Sequence, residues 1–256
     1  MSEKKYPIIP GAEPYHLKGK GPSILLIHGL SASPTELRPI GEFLLSKGFD
    51  VHSMLLPGHG TSPEDLRTKK RKDWWEGVKT AYESIEKCDY VLGFSLGALL
   101  ASRLAVEYSD CLKGLILVST FLKVRPRIIS FLAFLFPILK LFKPYFNKES
   151  GTEEYFKKHH LISYLKYPTV TIYEGLRLSK YTKRKIIPKI TTPTLIIQGM
   201  KDDRVVATSY KTILKLIKAK KIEVELLPES QHIVTVGPDK EALLKAIDQF
   251  LSDLEK

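Results

Sequence analysis

A serine set between two glycines is the first feature of this sequence that could do chemistry. The segment Gly93–Gly97 reads Gly-Phe-Ser-Leu-Gly and fits the pattern G-x-S-x-G, whose small residues let a strand and a helix pass closely. It follows the apolar segment Tyr90–Leu92 and precedes the helix-like segment Ala98–Tyr108, which is the order that the pattern requires. This context predicts a nucleophilic Ser95; the alternative role is a helix-capping serine beside two packing glycines.

A serine hydroxyl needs a base to take its proton, and the chain has seven histidines. His232 is the preferred base because it follows the last predicted strand, Glu223–Leu227, and so lies at the carboxyl ends of the strands, where ligands bind. We expect His28 to position a backbone turn and His59, in a cluster of turn residues, to be structural. We expect the pair His159–His160 to be exposed to solvent.

A carboxylate must hold the base in the right tautomer and stabilise the imidazolium that forms. Asp202 and Asp203 both follow a predicted strand, and we assign this role to Asp202 with Asp203 as its rival. The neighbouring carboxylate is expected to face solvent or to pair with Arg204. The chain order is then Ser95, Asp202, His232, which is the order found in α/β-hydrolases.

Two backbone amides must also face the negative charge that develops on the reacting carbonyl oxygen. Loss of one such donor typically costs about 3–4 kcal/mol of transition-state stabilisation. The predicted donors are the N–H groups of Leu96, directly after the nucleophile, and of Leu30, after the first long strand. Because both donors belong to the main chain, the side chains at these two positions are nearly free to vary.

Short apolar segments alternate with segments of helical period, and these elements must position the reactive residues. The predicted strands are Ser23–Ile27, Val51–Leu55, Asp89–Phe94, Gly114–Val118, Thr194–Gln198 and Glu223–Leu227. The predicted helices are Thr35–Lys47, Asp73–Lys87, Leu96–Tyr108, Ser209–Lys218 and Asp239–Asp253. Apolar strands separated by helices predict an α/β fold whose mostly parallel sheet is covered on both faces.

The alternation stops between the two halves of the chain, which predicts an insertion. We assign residues 1–120 and 189–256 to the α/β core and residues 121–188 to a cap of two or three helices. Apolar residues crowd into Ile128–Phe142, which must be buried or meet an apolar partner. We expect Phe131, Leu135 and Leu139 to bind an acyl chain. The other interpretation is a helix pair of the main core.

Composition limits the classes of function. The 256 residues carry a net charge of +12, which indicates either an anionic partner or a solvated, lysine-rich surface. The lysines are spread over most amphipathic segments, so we predict no nucleic-acid partner. Two cysteines are too few for a disulfide-rich scaffold or a four-cysteine zinc site, and we predict neither a metal nor a cofactor. Many charges with one asparagine and three glutamines are typical of high-temperature proteins.

The same composition bears on localisation. No signal peptide is visible near the first residue, and the apolar stretch Ile128–Phe142 is shorter than the roughly 20 residues of a spanning helix. We therefore expect a soluble, cytoplasmic protein. Its apolar cap and basic surface could rest peripherally on a membrane.

Several motifs together resemble one family over about Pro22–Phe121 and Ile190–Leu254. The motifs are His28–Leu30, Leu30–Leu37, Pro57–Gly60, Gly93–Gly97, Gly199-x-x-Asp202-x-x-Val205 and Gln231–His232. In order and spacing they look like the small carboxylesterases and monoacylglycerol lipases of bacteria and archaea. The resemblance implies the α/β-hydrolase fold and hydrolysis of short- to medium-chain acyl esters, without a cofactor, under a helical cap that touches lipid.

The chain departs from that family at two places. Gln231 stands where the family usually has glycine before the histidine, which should leave the triad intact but narrow the space beside His232. Some of these lipases hold the glycerol head with a glutamate near position 165, and Leu165 cannot do that.

The predicted function is hydrolysis of carboxylic esters, with monoacylglycerols of medium acyl chain as the preferred substrates. A small cap would enclose one acyl chain more easily than three. The same triad would also suit a short-chain carboxylesterase, a thioesterase, a peptidase or a C–C hydrolase. A non-catalytic receptor for an apolar ligand usually lacks a triad member, and none is missing here. Epoxide hydrolases and haloalkane dehalogenases would need a carboxylate in place of Ser95.

Overall fold

The computed structural model describes residues 6–125, 142–148 and 152–256. Its strands are β1 (Tyr15–Leu17), β2 (Ser23–Ile27), β3 (Asp50–Met54), β4 (Tyr90–Phe94), β5 (Gly114–Val118), β6 (Tyr145–Asn147), β7 (Lys166–Pro168), β8 (Thr194–Gly199) and β9 (Ile222–Leu227). Its α-helices are α1 (Arg38–Ser46), α2 (Pro63–Thr68), α3 (Arg71–Glu83), α4 (Leu96–Glu107), α5 (Glu153–Lys158), α6 (Thr169–Tyr181), α7 (Ser209–Leu216) and α8 (Lys240–Ser252). Shorter helical turns are Pro34–Leu37, Thr182–Ile186, Ile187–Lys189 and Val234–Val236.

A seven-stranded sheet forms the centre of the molecule, in the order β1-β3-β2-β4-β5-β8-β9. All neighbouring pairs are parallel except β1 and β3, which are antiparallel. The predicted mostly parallel sheet is therefore confirmed. The prediction missed β1 because three residues are too few to show a period. The order places β4, which leads into Ser95, in the middle of the sheet.

Two hydrophobic clusters cover the two faces of this sheet. One contains buried side chains of α1 and α8 with alternate residues of the strands: Ile24, Leu26, Ile40, Leu44, Val51, Leu92, Ile116, Ile247 and Phe250. The other contains side chains of α3, α4 and α7: Leu25, Ile27, Trp74, Val78, Val91, Leu100, Leu104, Leu117 and Ile213. Each fully buried side chain of this size contributes about 1.5–3 kcal/mol. Burial on both faces explains why β4 and β5 are apolar throughout.

The segment between β5 and β8 differs in part from the expected cap of two or three helices. Its described residues form α5 and α6, and in addition β6 and β7 pair as a two-stranded antiparallel sheet. Strands of three residues carry no readable alternation, which is why they were not predicted. The proposed acyl-binding residues Phe131, Leu135 and Leu139 lie outside the described residues. The domain boundaries remain a prediction.

Hydrogen bonds fasten this segment to the core beside the ends of the strands. The amide of Tyr164 donates to the Ser31 carbonyl oxygen at 2.9 Å. The amide of Thr61 donates to the Tyr164 hydroxyl at 2.7 Å, and this hydroxyl donates to the Gly58 carbonyl oxygen at 3.1 Å. Within the described ranges, no helix has both the length and the apolar character needed to cross a bilayer.

Candidate active site

The turn between β4 and α4 holds Ser95 in a backbone conformation that few residues other than glycine adopt, with φ 53° and ψ −110°. The flanking glycines are required by close packing. A Cβ on Gly97 would lie 2.1 Å from the Ile27 carbonyl oxygen, and one on Gly93 would lie 2.4 Å from the Gly97 carbonyl oxygen. Because both contacts are with backbone atoms, only glycine at position 97 permits α4 to lie against β2, and only glycine at position 93 permits β4 to lie so close to α4. Ser95 is placed at the carboxyl end of the central strand.

His232 comes from the loop after β9 and meets Ser95 over the sheet. Nε2 of His232 lies 3.0 Å from Oγ of Ser95, and both residues are buried. A hydrogen bond fixes this loop to the end of β5, because Ser119 Oγ donates to the His232 carbonyl oxygen at 3.2 Å. The imidazole also packs on the Phe94 ring, with 5.2 Å between the ring centroids. These contacts direct Nε2 toward the serine hydroxyl.

Asp202 completes the row of side chains. Its Oδ2 lies 2.9 Å from Nδ1 of His232. Its Oδ1 accepts the Arg204 and Val205 amides at 2.9 and 2.7 Å, and Gln198 Nε2 donates to Oδ2 at 3.0 Å. Burial alone would raise the pKa of Asp202, but the His232 interaction and the two amides outweigh it and hold this pKa below its usual value. An ionised Asp202 accepts Nδ1–H and leaves Nε2 free to accept a proton.

Asp203, the rival carboxylate, has a different environment. It is exposed, whereas Asp202 is 2% exposed. Its Oδ1 lies 3.4 Å from the His232 amide nitrogen, a long contact with the backbone and not with the ring. Of the two aspartates, the structure therefore brings Asp202 to the imidazole.

The two expected oxyanion donors belong to α4 and to the loop after β2. Leu96 is the first residue of α4, where a helix leaves its amides without intrahelical partners. Leu30 follows Gly29 in the loop after β2 and lines the same cavity as Ser95. This loop is fixed by Glu36, whose Oε2 accepts the Gly29 amide at 2.9 Å. The buried carboxyl thus sets the position of the peptide that precedes Leu30.

A cavity of about 390 Å³ opens above these residues. Its described apolar lining consists of Leu30, Phe94, Phe121, Val124, Phe146, Tyr167 and Ile172. Its described polar lining consists of Glu36, Ser95, Arg125, Asn147, Lys148, Asp203, Arg204 and His232, with Gly29 beside them. The site can therefore take a ligand that has both an apolar part and hydrogen-bonding groups.

Burial shifts the pKa values of two groups in this lining, the Glu36 carboxyl and the Lys148 amine. Burial raises the pKa of Glu36, opposed by the Gly29 amide and by the positive charges nearby. Removal from solvent, together with the Arg204 charge, holds the pKa of Lys148 well below its usual range. Lys148 Nζ also contacts Ser163 Oγ at 2.6 Å and lies over the Tyr167 ring, 4.9 Å from its centroid. The cavity thus presents a carboxyl and an amine whose charged forms are both disfavoured.

The remaining histidines lie elsewhere. His28 is buried below the site, where its Nε2 accepts the Leu56 amide at 3.0 Å, and burial lowers its pKa to about 4. Nδ1 of His59, also buried, lies 3.2 Å from the Pro57 carbonyl oxygen. Both positions match the structural roles expected from their turns. His159 is half-buried and His160 exposed, so only the second of this pair is as expected.

Sequence reasoning did not identify Glu36, Lys148 or Tyr167 as residues of the site. Lys148 and Tyr167 stand in segments with no catalytic motif, and packing brings them to the cavity, whereas Glu36 lies in the Leu30–Leu37 motif, where its side chain was given no role. Leu165, singled out in the sequence, is instead 44% exposed. Gln231 is also exposed and lines a second cavity, of about 190 Å³, together with His232, whose contact with Ser95 is intact.

Comparisons with known proteins agree with this arrangement. A carboxylesterase of Bacillus subtilis (strain 168) is 23% identical over 247 residues, which are 95% of this chain and 97% of that relative. A thermostable monoacylglycerol lipase of Bacillus sp. (strain H-257) is 27% identical over 255 residues, 98% of each chain. A solved structure from work on the metagenome-derived lipolytic enzymes LipS and LipT covers 96% of this chain and 100% of its own, with a TM-score of 0.85 at 23% identity. The family model described as "Serine aminopeptidase, S33" matches residues 20–239. The chain therefore belongs to this serine hydrolase family and has the α/β-hydrolase fold.

Proposed function

We propose that this hydrolase cleaves carboxylic esters through an acyl-enzyme, with monoacylglycerols of medium acyl chain as its preferred substrates. The observation that carries the proposal is the continuous row of hydroxyl, imidazole and carboxylate at the floor of a mixed apolar and polar cavity. The 3.0 Å between Ser95 Oγ and His232 Nε2 is a distance over which a proton can pass, and the 2.9 Å contact with Asp202 Oδ2 holds the imidazole in place.

In the first half of the reaction, Ser95 Oγ attacks the ester carbonyl carbon while Nε2 of His232 takes the hydroxyl proton. The carbonyl oxygen becomes an oxyanion that the Leu30 and Leu96 amides stabilise. Asp202 stabilises the imidazolium without taking its proton. His232 then gives the proton to the leaving alcohol, and the acyl group remains bonded to Ser95.

Water completes the cycle. His232 removes a proton from a water molecule, whose oxygen attacks the acyl carbon and forms a second oxyanion in the same position. The proton returns to Ser95 Oγ as the carbon–oxygen bond of the acyl-enzyme breaks, and the carboxylic acid leaves. The chain's own groups perform every proton transfer in this scheme.

The cavity supports a monoacylglycerol as the substrate class. Its aromatic and aliphatic lining favours an acyl chain, since each buried methylene contributes about 0.8 kcal/mol. Glu36, Asn147 and Lys148 offer hydrogen-bond partners to the two free hydroxyls of the glycerol. A volume of about 390 Å³ suits one chain better than three. The relative named monoacylglycerol lipase, which matches nearly end to end, supports the same choice.

The test is turnover of monoglycerides of graded chain length beside a long triglyceride emulsion and a thioester. We expect a maximum at medium chain length and slow cleavage of the triglyceride. Ser95→Ala should abolish turnover of all esters. Ser102→Ala is the matched control, because Ser102 lies in the same helix and its hydroxyl bonds to the Ala98 carbonyl oxygen at 2.7 Å. Ester turnover retained by Ser95→Ala would refute the nucleophile, and equal rates on both glycerides would refute the substrate class.

A peptidase is the second candidate, and the description of the matching family model favours it. The same row of side chains can attack an amide, so the geometry of the triad does not separate the two activities. An aminoacyl p-nitroanilide in the substrate panel does separate them. Cleavage of that amide faster than any monoglyceride would favour the peptidase.

We also propose that the cap segment contacts a lipid surface. Phe142 is 82% exposed, and Lys143 follows it in the chain. An exposed aromatic beside a cation is suited to the boundary between headgroups and acyl chains. The net charge of +12 would draw the protein to an anionic bilayer.

A further inference from the structure

Two histidines and an aspartate converge at the edge of the sheet, away from the catalytic row. Nε2 of His16 lies 2.8 Å from Oδ1 of Asp50, and Nε2 of His52 lies 2.7 Å from Oδ2 of the same carboxylate. The ligand atoms of the three residues all lie within 4.8 Å of one another. The two imidazole rings are stacked, with centroids 4.1 Å apart and planes 15° apart.

Strand register explains this convergence. His16 on β1 and His52 on β3 are direct partners in the antiparallel pair, so their side chains project from the same face. Asp50 is two residues before His52 on β3 and therefore lies on that face as well. In the sheet, β2 separates β3 from β4, and Asp50 begins β3 at the amino ends of the parallel strands, whereas Ser95 follows the carboxyl end of β4. The cluster therefore belongs to a different part of the molecule from the active site.

We propose that His16, Asp50 and His52 form a binding site for a divalent transition-metal ion, with Zn²⁺ as the best fit. Two imidazole nitrogens and one carboxylate are a ligand set that zinc uses, with water in the fourth position. Bonds of about 2.0–2.1 Å in tetrahedral geometry require ligand atoms about 3.4 Å apart. The observed separations come within about an ångström or two of this, so small side-chain rotations suffice.

The surroundings of the three groups fit a metal site. The Gly19 amide donates to Oδ1 of Asp50 at 3.0 Å and so orients the carboxylate, as outer-sphere partners of metal ligands do. The side chains of His16, His52 and Asp50 are 46%, 24% and 19% exposed, which leaves a path for the ion from solvent. The alternative is a pair of surface ion pairs with Asp50, which would need no metal.

A bound ion would connect β1 to the rest of the sheet. β1 has three residues and pairs with β3 along one side, so it is a short edge strand. A metal held by one residue of β1 and two of β3 would resist its separation. Because the ion binds the folded pairing and not the separated strands, it stabilises the folded chain.

The experiment is calorimetric titration of the untagged, chelator-treated full chain with Zn²⁺, repeated on His16→Ala, His52→Ala and Asp50→Asn. We expect one ion per chain for the wild type. Loss of a residue that only orients a metal ligand typically weakens metal binding 10–100-fold. Each alanine variant removes a ligand itself, so we expect its affinity for Zn²⁺ to fall about 100-fold or more. His160→Asn is the control, because it removes an exposed imidazole outside the cluster and should bind like the wild type.

Two further measurements make the result decisive. Co²⁺ should bind to the wild type and show the visible spectrum of tetrahedral coordination, with the band lost in His52→Ala. Zn²⁺ should raise the Tm of the wild type and leave the Tm of His52→Ala unchanged. In the presence of chelator, His52→Ala should turn over ester at the same rate as the wild type, which shows that the variant is folded. Absence of Zn²⁺ binding by the wild type, or equal binding by the histidine variants, would overturn the site in favour of simple ion pairs.

Discussion

At the scale of single residues, two adjacent aspartates after β8 differ in burial and therefore in their expected effect on catalysis. Asp202→Asn cannot hold His232 in the tautomer that leaves Nε2 free, so we expect kcat to fall about 10⁴-fold, as the corresponding change does in serine proteases. Asp203→Asn is the matched control, because Asp203 lies 3.4 Å from the His232 backbone nitrogen, whereas Asp202 contacts the imidazole ring. Steady-state kinetics on one ester compares them. A larger loss in Asp203→Asn would reverse the assignment.

Glu36 allows a second prediction at this scale, because its buried carboxyl holds the Gly29 amide. Glu36→Ala leaves that amide unpaired, at a cost of about 1–3 kcal/mol in stability, and frees the loop that carries Leu30. We expect kcat to fall while KM changes little. Glu36→Gln keeps an oxygen acceptor and should recover most of the rate. Equal kcat for the alanine and glutamine variants would show that the hydrogen bond does not position the loop.

The pH dependence of stability follows from the same residue. Burial raises the pKa of Glu36, so the folded chain binds its proton more tightly than the unfolded chain. The associated stability is fully present below the ordinary pKa of glutamate and is lost as pH rises through the raised value. The free energy of unfolding of Glu36→Gln, relative to wild type, should therefore rise as the pH increases above the ordinary pKa of glutamate. Urea denaturation measures it, and the exposed Glu76→Gln should show no such trend.

At the scale of elements, α4 can lie close to β2 because position 97 is a glycine, which has no side chain. A Cβ at position 97 would meet the Ile27 carbonyl oxygen at 2.1 Å, so Gly97→Ala must displace the helix or the strand. We expect a loss of about 1–3 kcal/mol or more and a sharp fall in kcat, since Ser95 moves with the helix. Urea unfolding and ester turnover measure the two effects.

A second helical glycine provides the control. At Gly175 of α6 the nearest atom to an added Cβ is Phe121 Cε1, at 3.3 Å, which belongs to a side chain and can move. Alanine is favoured over glycine in a helix by about 0.5–1 kcal/mol, so Gly175→Ala should be neutral or stabilising. If both substitutions destabilised equally, close packing at Gly97 would not be the reason for glycine there.

At the scale of the whole molecule, the excess of positive charge should act together with the exposed Phe142. We expect cosedimentation with anionic vesicles that weakens as salt increases, and little binding to neutral vesicles. Phe142→Ala should weaken binding about 10- to 150-fold, because burying a phenylalanine contributes about 1.5–3 kcal/mol. Leu214→Ala, which removes another exposed apolar side chain, on α7, is the control. Vesicle binding that changed neither with salt concentration nor in Phe142→Ala would contradict the proposed lipid contact.

The sheet could be predicted closely because its strands are apolar throughout and bounded by turn residues. Six predicted strands differ from the observed ones by at most one residue at either end. The elements that were missed are short: β1, β6 and β7 have three residues each, and α2 has six. Elements of this length show no hydrophobic period, and packing against the rest of the chain decides whether they form.

The sequence by itself determined the α/β alternation, the strand–turn–helix around Ser95 and the order of the three reactive side chains. Each of these features follows from the local hydrophobic pattern and from the spacing of motifs. Only the tertiary structure decided which aspartate faces His232, that Glu36 is buried under Gly29, and that Lys148 lines the same cavity. The pairing of His16 with His52 was decided there as well. These facts depend on which side chains meet after the chain has folded, and those contacts form only once the sheet and its loops have assembled.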